Sequence, residues 1–202
     1  MKKILFAAMP ILAIALLALN PVSDPLAIGS SIPNADLKMK DVTGKEVSFK
    51  DAMKENGLLV MFSCNTCPVV HKYETRTVEI CKKALENNIG VILLNANEAN
   101  REKGDSYADM QEYAKKLGYS WNYVLDNNSA MANAFGATRT PELFLFGKDG
   151  KLAYHGAIDN NADSRESAVS YMKPAIENLV GGKKIDPEKT KSVGCSIKRK
   201  AQ

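Results

Sequence analysis

Two cysteines separated by two residues, Cys64 and Cys67, are the residues of this chain whose spacing most directly suggests chemistry. They follow an apolar run at 58–62, which has the length and composition of a buried strand. Pro68 comes next, and it suits the first turn of a helix because its missing N–H is not needed there. We therefore expect the pair at a strand-to-helix junction, where free N–H groups and the helix dipole favour thiolate over thiol.

A cysteine held at such a junction is a nucleophile at neutral pH. In Cys-X-X-Cys motifs the thiol pKa falls from roughly 8.5 to between about 3.5 and 7.5. A bridge between Cys64 and Cys67 would close too small a loop to restrict the unfolded chain much, so its expected value is redox rather than structural. The spacing predicts dithiol–disulfide exchange.

The chain has four cysteines in total. Cys81 falls within the helical pattern that follows the motif, and we interpret it as a small buried hydrophobic residue. Cys195 lies near the C-terminus, and two interpretations stay open for it. It is either a free tail cysteine or a third redox thiol, bridged to Cys67 or Cys81 when the tail folds over the motif.

Apolar periodicity and turn residues divide the chain into alternating strands and helices. We predict a hairpin at 36–49, strands at 58–62, 90–94, 122–125, 140–146 and 151–155, and helices at 50–56, 68–87, 105–117, 129–135 and 164–180. Pro174 implies a kink or break in the last helix. This order predicts an α/β fold: a mixed central sheet, helices on both faces, and an N-terminal hairpin extension.

The N-terminus has the layout of a secretory signal, with two lysines before sixteen almost uniformly apolar residues. An uncleaved membrane anchor is the alternative, and in both cases the folded part faces the periplasm or another extracytoplasmic compartment. The predicted divisions are a signal or anchor at 1–20, a linker at 21–33, a folded domain at 34–182 and a basic, cysteine-containing tail at 183–202.

The positive charge of the chain is confined to its ends. The net charge is +4, but residues 183–202 carry +5 and the two N-terminal lysines +2, which leaves residues 4–182 at −3. A nucleic-acid interface needs a basic surface on the folded part. We therefore expect no nucleic-acid partner, and we expect a monomer.

Four segments carry a resemblance to a known family. They are Cys-Asn-Thr-Cys-Pro at 64–68, Ala-Thr-Arg-Thr-Pro-Glu-Leu-Phe-Leu-Phe at 137–146, the hairpin at 150–159 and the ending Val-Gly-Cys-Ser-Ile-Lys at 193–198. Together they resemble the thioredoxin superfamily, and within it the peroxiredoxin-like branch of thioredoxin-fold proteins. The resemblance covers roughly residues 29–198 and implies a thioredoxin-like fold.

The resemblance also implies a mechanism. Pro141 would be cis and face the cysteines, and the backbone of Thr140 would pair with an extended substrate segment. Cys64, as the exposed thiol of lower pKa, would attack a partner's disulfide, and Cys67 would resolve the mixed disulfide. The implied activity is that of a thiol–disulfide oxidoreductase, in the first place a disulfide reductase. Its partners would be protein disulfides and an upstream thiol reductant, with no cofactor and no metal.

Two features depart from the thioredoxin pattern. Thioredoxins keep a buried acid on the strand before the motif as a proton acceptor, whereas the run at 58–62 is wholly apolar. Glu98, which follows the second core strand, is a candidate acceptor, and an ordinary solvated loop acid is the alternative. Asn65 and Thr66 replace the Gly-Pro of thioredoxin, so the reduction potential is not predicted.

Two other functions compete with this interpretation. A thiol peroxidase would use Cys67, with Arg139 standing in for the arginine of peroxiredoxins. Those enzymes place threonine or serine three residues before the reactive cysteine, where this chain has Cys64. A non-catalytic metal module would take Cys64, Cys67, His71 and a fourth ligand, Cys81 or Cys195. No second closely spaced pair exists, so we interpret His71 as a surface residue or a modifier of the thiolate.

Overall fold

The computed structural model describes residues 24–200 of the 202-residue chain. The signal or anchor predicted at 1–20 lies outside the described residues. Within 24–200, no helix combines the length and the apolar character that crossing a bilayer requires.

Residues 24–200 contain nine strands and five α-helices. The strands are β1 (Met39–Lys40), β2 (Glu46–Val47), β3 (Leu58–Ser63), β4 (Gly90–Asn95), β5 (Asn122–Leu125), β6 (Arg139–Thr140), β7 (Glu142–Phe146), β8 (Leu152–Gly156) and β9 (Cys195–Ser196). The α-helices are α1 (Phe49–Ala52), α2 (Pro68–Glu86), α3 (Tyr107–Leu117), α4 (Ala130–Phe135) and α5 (Met172–Val180). The β1–β2 pair is the predicted N-terminal hairpin.

Five strands form the central sheet, in the order β5-β4-β3-β7-β8. β3 pairs in parallel with β4 and β4 with β5, whereas β7 runs antiparallel to both β3 and β8. The carboxyl ends of β3, β4 and β5 therefore meet at one edge of the sheet, where loops commonly carry the reacting groups.

Both faces of the sheet are covered, because successive residues of β3 point to opposite sides. Leu59 and Met61 belong to one apolar cluster, which includes residues of α2, α3 and α5. Val60 and Phe62 belong to a second cluster, which includes residues of α1 and α4. These layers confirm the predicted thioredoxin-like arrangement.

The helix predicted at 164–180 is wrong in its first half, because α5 begins only at Met172. The Asn161 side chain accepts backbone N–H groups at 3.0 and 3.1 Å, which satisfies these donors outside a helix. Pro174 falls in the first turn of α5, where its missing N–H costs nothing. Pro174 therefore does not require the predicted kink or break in α5.

The predicted tail, which begins at residue 183, is bonded through its backbone to two strands. His155 in β8 donates its N–H to Glu188 O at 3.0 Å and accepts the Thr190 N–H at 3.0 Å. The tail then crosses to β6, where β9 pairs with it in the antiparallel sense. Composition does not show this pairing, because it uses backbone groups that every residue carries.

Candidate active site

The Cys-X-X-Cys motif lies where the sequence predicts it, between β3 and α2. Cys67 is the N-cap residue of α2 and Pro68 occupies the first helical position. Both motif cysteines are buried, with 0% of Cys64 and 3% of Cys67 exposed. They form a small apolar cluster with Val70.

The Thr140–Pro141 loop faces the two cysteines, and its peptide bond is cis, as expected. The Thr140 hydroxyl lies 3.4 Å from the sulfur of Cys64. Its carbonyl oxygen lies 3.4 Å from the sulfur of Cys67. One residue of the loop thus contacts both sulfur atoms.

The disulfide of this structure joins Cys67 to Cys195, across 128 residues, with the Cα atoms 6.1 Å apart. Cys64 and Cys81 are free. The expected Cys64–Cys67 bridge is absent from this state, in which the β6–β9 pairing sets Cys195 opposite Thr140. Of the two open interpretations of Cys195, the structure agrees with a cysteine bridged to the motif.

The Cys64 thiol differs from the exposed, acidic thiol that the resemblance implies. Burial raises its pKa, and the Asp105 carboxylate adds to that rise. The Thr140 hydroxyl and the backbone N–H groups of Cys67 and Thr66 act in the opposite direction. Desolvation outweighs these hydrogen bonds, so the Cys64 pKa is raised in this state rather than lowered as predicted.

Asp105 organises the motif loop, a role that was not predicted from the sequence. It is fully buried and accepts four hydrogen bonds. The donors are Asn65 N at 2.7 Å, Thr66 Oγ1 at 2.7 Å, Asn95 Nδ2 at 2.8 Å and Asn97 Nδ2 at 3.0 Å. A capping box between Ser106 and Asp109 starts α3 at residue 107 and leaves Asp105 outside the helix. That Ser-X-X-Asp pattern is the signal from which its position was predictable.

Asn65 is hydrogen-bonded through both its side chain and its backbone. Its amide Nδ2 donates to Gly104 O at 3.0 Å, and its Oδ1 accepts the Tyr123 hydroxyl at 2.8 Å. Its carbonyl oxygen accepts His71 Nε2 at 2.6 Å, and the His71 ring stacks on Tyr113. His71 therefore positions the motif backbone.

Comparisons with known proteins agree with this geometry. A family model described as Redoxin matches residues 27–172. The chain belongs to the Redoxin family. The thiol-disulfide oxidoreductase ResA of Bacillus thuringiensis (strain Al Hakam) is 24% identical over 151 residues, which are 75% of this chain and 82% of the relative. The ResA of Geobacillus thermodenitrificans (strain NG80-2) is 26% identical over 129 residues, 63% of this chain and 67% of the relative.

Solved structures share the fold of this Redoxin-family protein. An uncharacterized conserved protein from Geobacillus kaustophilus has a TM-score of 0.81 at 27% identity, covering 87% of this chain and 94% of that one. A hypothetical protein from Sinorhizobium meliloti 1021 has a TM-score of 0.81 at 24% identity, covering 89% and 98%. The predicted superfamily and fold are confirmed. So is the predicted activity class: the Redoxin-family protein is a thiol–disulfide oxidoreductase.

Glu98 and Arg139 make contacts other than those proposed for them. Glu98 accepts the N–H of Asn128 at 3.0 Å and pairs with Arg101 at 3.5 Å. Arg139 donates to the Gly194 carbonyl at 2.9 Å. In this Redoxin-family protein the acid nearest the motif backbone is thus Asp105 rather than Glu98, and Arg139 holds the tail.

A buried pair of side chains, which was not predicted from the sequence, fixes the loop before Pro141. One oxygen of the Glu142 carboxylate accepts the N–H groups of Thr138 and Arg139, at 2.8 and 2.9 Å. The other lies 2.7 Å from Nε2 of His155 in β8. Within residues 24–200, no group of three or more His, Cys, Asp or Glu side chains is arranged to hold a metal ion.

Proposed function

We propose that the protein reduces disulfides in other proteins, with Cys64 as the attacking thiol and Cys67 as the resolving thiol. The observation that carries the proposal is the contact of both sulfur atoms with Thr140, at 3.4 Å each. A loop that contacts both sulfur atoms offers an incoming disulfide a place to bind beside them. ResA relatives, which are named thiol-disulfide oxidoreductases, support the reaction class.

The proposed cycle exchanges electrons and protons between thiols and disulfides alone and requires no cofactor. The Cys64 thiolate attacks one sulfur of the substrate disulfide, forms a mixed disulfide and releases the other substrate sulfur as a thiolate. The Cys67 thiolate then attacks the Cys64 sulfur and releases the second substrate thiolate. The substrate gains two electrons and two protons, and the two motif cysteines become a disulfide. An upstream dithiol restores them.

The site contains hydrogen-bond donors for the Cys64 thiolate. The Thr140 hydroxyl and the N–H groups of Thr66 and Cys67 stabilise it, while burial opposes it. Exposing the sulfur atom would therefore lower its pKa. We propose that Cys64 reacts in a more open state than the one described.

We propose an extracytoplasmic site of action, either as an exported protein or attached to the membrane by residues 1–20. The support is the layout of the N-terminal sequence, with two lysines followed by an apolar stretch. Oxidising compartments of this kind are where protein disulfides form and persist.

Insulin-disulfide reduction by the pre-reduced protein tests the function. We expect Cys64→Ser and Cys67→Ser to fall to the uncatalysed background and Cys67→Ser to accumulate a mixed disulfide with substrate, seen by mass spectrometry. Cys81→Ala is the matched control, because Cys81 is free and buried on α2. Wild-type protein that reduces no insulin disulfide would contradict the proposal.

A peroxidase is the second candidate, because Cys67 is bonded to a distant cysteine. Peroxide would oxidise the Cys67 thiolate to a sulfenic acid with release of hydroxide, and Cys195 would condense with it and release water. Peroxide-dependent turnover by Cys64→Ser would favour this function. A Cys64→Ser protein inert toward peroxide would exclude it.

A further inference from the structure

The C-terminal tail lies along the backbone edge beside the two motif cysteines. In the antiparallel β6–β9 pair, Arg139 is opposite Ser196 and Thr140 is opposite Cys195. The Ile197 N–H extends the pairing by donating to Thr138 O at 3.0 Å. The segment 194–197 is therefore an extended strand on the loop that contacts both sulfur atoms.

The residue before Cys195 must be small. A Cβ atom on Gly194 would lie 2.1 Å from the carbonyl oxygen of Thr140, a distance that real Cβ atoms do not adopt. The constraint is one of space, because the φ angle of Gly194 is outside the left-handed region. Any other residue would push the strand off the loop.

The residues after Cys195 fix the register of the tail. Ile197 is 6% exposed and belongs to the same apolar cluster as Phe135 and Ala137. The backbone of Lys198 makes two bonds, from its N–H to Asn97 Oδ1 at 2.9 Å and from the Ala99 N–H to its carbonyl at 2.8 Å. An apolar residue two positions after the cysteine therefore anchors the strand.

These features are those of a bound peptide. An extended peptide adds to an open strand edge through backbone hydrogen bonds, while pockets for alternate side chains give specificity. Here the tail supplies the backbone pairing and a disulfide to Cys67. It also has two positions, one before and one after Cys195, at which the side chain is restricted. Cys195 also packs against the cluster that encloses Cys64, so an incoming disulfide meets the tail first.

We infer that the tail segment 194–197 occupies the groove that binds an extended substrate segment and competes with substrates for it. The inference rests on the proposed function and adds a substrate class to it. Substrate cysteines have glycine immediately before them and an apolar residue two positions after them, as Cys195 has Gly194 and Ile197.

The tail is released from the groove, and bound there again, by thiol–disulfide exchange at Cys67. The Cys64 thiolate attacks the Cys67 sulfur, so that the Cys64–Cys67 bond forms and the Cys67–Cys195 bond breaks. Cys195 departs as a thiolate and takes up the proton that Cys64 lost, so no outside oxidant is consumed. The reverse step frees Cys64 again after a turnover. An external dithiol that attacks the Cys195 sulfur reduces the closed form, is oxidised to its disulfide, and gives two electrons and two protons to Cys67 and Cys195.

Full-length Gly194→Ala tests the tail without changing a residue of the active site. In the reduced protein at neutral pH, we expect iodoacetamide to alkylate Cys64 at least about tenfold faster than in wild type, a shift of one decade in the docking equilibrium. Val193→Ala is the matched control, because Val193 is 48% exposed and should leave the rate unchanged. Ile197→Ser, which removes the anchor beyond Cys195, should act like Gly194→Ala. Equal rates in wild type and both tail variants would overturn the inference.

Peptide substrates test the specificity. Ser-Val-Gly-Cys-Ser-Ile-Lys, with thionitrobenzoate on its cysteine, should show a lower KM with Gly194→Ala than with wild type, at similar kcat. Replacing its glycine by valine, or its isoleucine by aspartate, should lower kcat/KM by about tenfold or more. Equal kcat/KM for the three peptides would overturn the substrate class.

Failure of the tail inference is distinguishable from failure of the function. Insulin reduction by wild type, with unchanged Cys64 alkylation and unchanged KM in the tail variants, overturns the inference and leaves the function intact. A wild-type protein that fails to reduce insulin overturns the function and, with it, the substrate class.

Discussion

Asn65 shows why the residues between the two cysteines are not the Gly-Pro of thioredoxin. Its backbone and side chain are bonded to Asp105, Gly104, Tyr123 and His71. Glycine could keep only the two backbone contacts. The loop is therefore held by a buried polar network, and Asp105 is the acceptor on which most of it converges.

Asp105→Asn should destabilise the protein and make Cys64 more acidic. The amide of the variant carries an NH₂ group, which would face some of the four donors and leave them without an acceptor. We expect this loss to lower the free energy of unfolding by about 1–3 kcal/mol. Loss of the negative charge removes one cause of the raised Cys64 pKa, so that pKa should fall. Urea unfolding and the pH profile of Cys64 alkylation in the reduced protein measure both effects. Glu112→Gln, an exposed change of the same charge on α3, is the control, and equal shifts in both variants would contradict a specific role for Asp105.

The Asp126 carboxylate caps helix α4, and its contribution to the stability of the protein depends on pH. Its carboxylate accepts the N–H groups of Met131 and Ala132 at 2.9 Å each. Burial nevertheless raises its pKa to about 6, above the ordinary value of 3.8 for an aspartate. The folded protein thus binds this proton more tightly than the unfolded chain, so the carboxylate's contribution to stability falls as pH rises between these two values.

The expected size of the Asp126 effect is roughly 3 kcal/mol between about pH 4 and about pH 7, from a shift of about two pKa units. Other groups titrate in this range, so the measurement is the difference between wild type and Asp126→Asn in urea unfolding at several pH values. We expect the wild type to lose stability relative to the variant as pH rises. A constant difference would contradict the raised pKa.

The elements that sequence predicts well are those with strong local signals. The apolar run of β3, the proline at the start of α2 and the Thr-Pro loop each depend on residues close in sequence, and each lies where expected. The false helix at 164–171 failed because Asn161 bonds the backbone outside a helix, a competition that periodicity does not reveal. The site was predicted through its cysteines. Asp105 was not, because it acts on Asn65 and Thr66, 40 and 39 residues away in sequence.

The bridge between Cys67 and Cys195 links the start of α2 to the C-terminal tail. Such a closure restricts the unfolded chain, and for a loop near 128 residues the chain-entropy model gives roughly 4–5 kcal/mol of stabilisation. The redox state of the active site should therefore be visible in global stability.

Reduction of the wild-type protein should lower its urea midpoint markedly, and Cys195→Ser should unfold like the reduced wild type under both conditions. Cys81→Ala, which leaves the bridge intact, should still respond to reductant. Urea unfolding with and without a dithiol reductant measures these shifts. If oxidised and reduced wild type unfolded at the same urea concentration, the bridge would carry no such stabilisation.

The contact between the tail and β8 has a consequence for solubility. β8 is the last strand of the sheet, and an open strand edge is a template for pairing with another chain. Glu188 and Thr190 occupy that edge, and Gly156 has no side chain to keep them away, since a Cβ there would lie 2.1 Å from the Thr190 hydroxyl. A chain cleaved before Glu188 should therefore aggregate through β8 at concentrations at which the intact chain stays dispersed, which light scattering would detect.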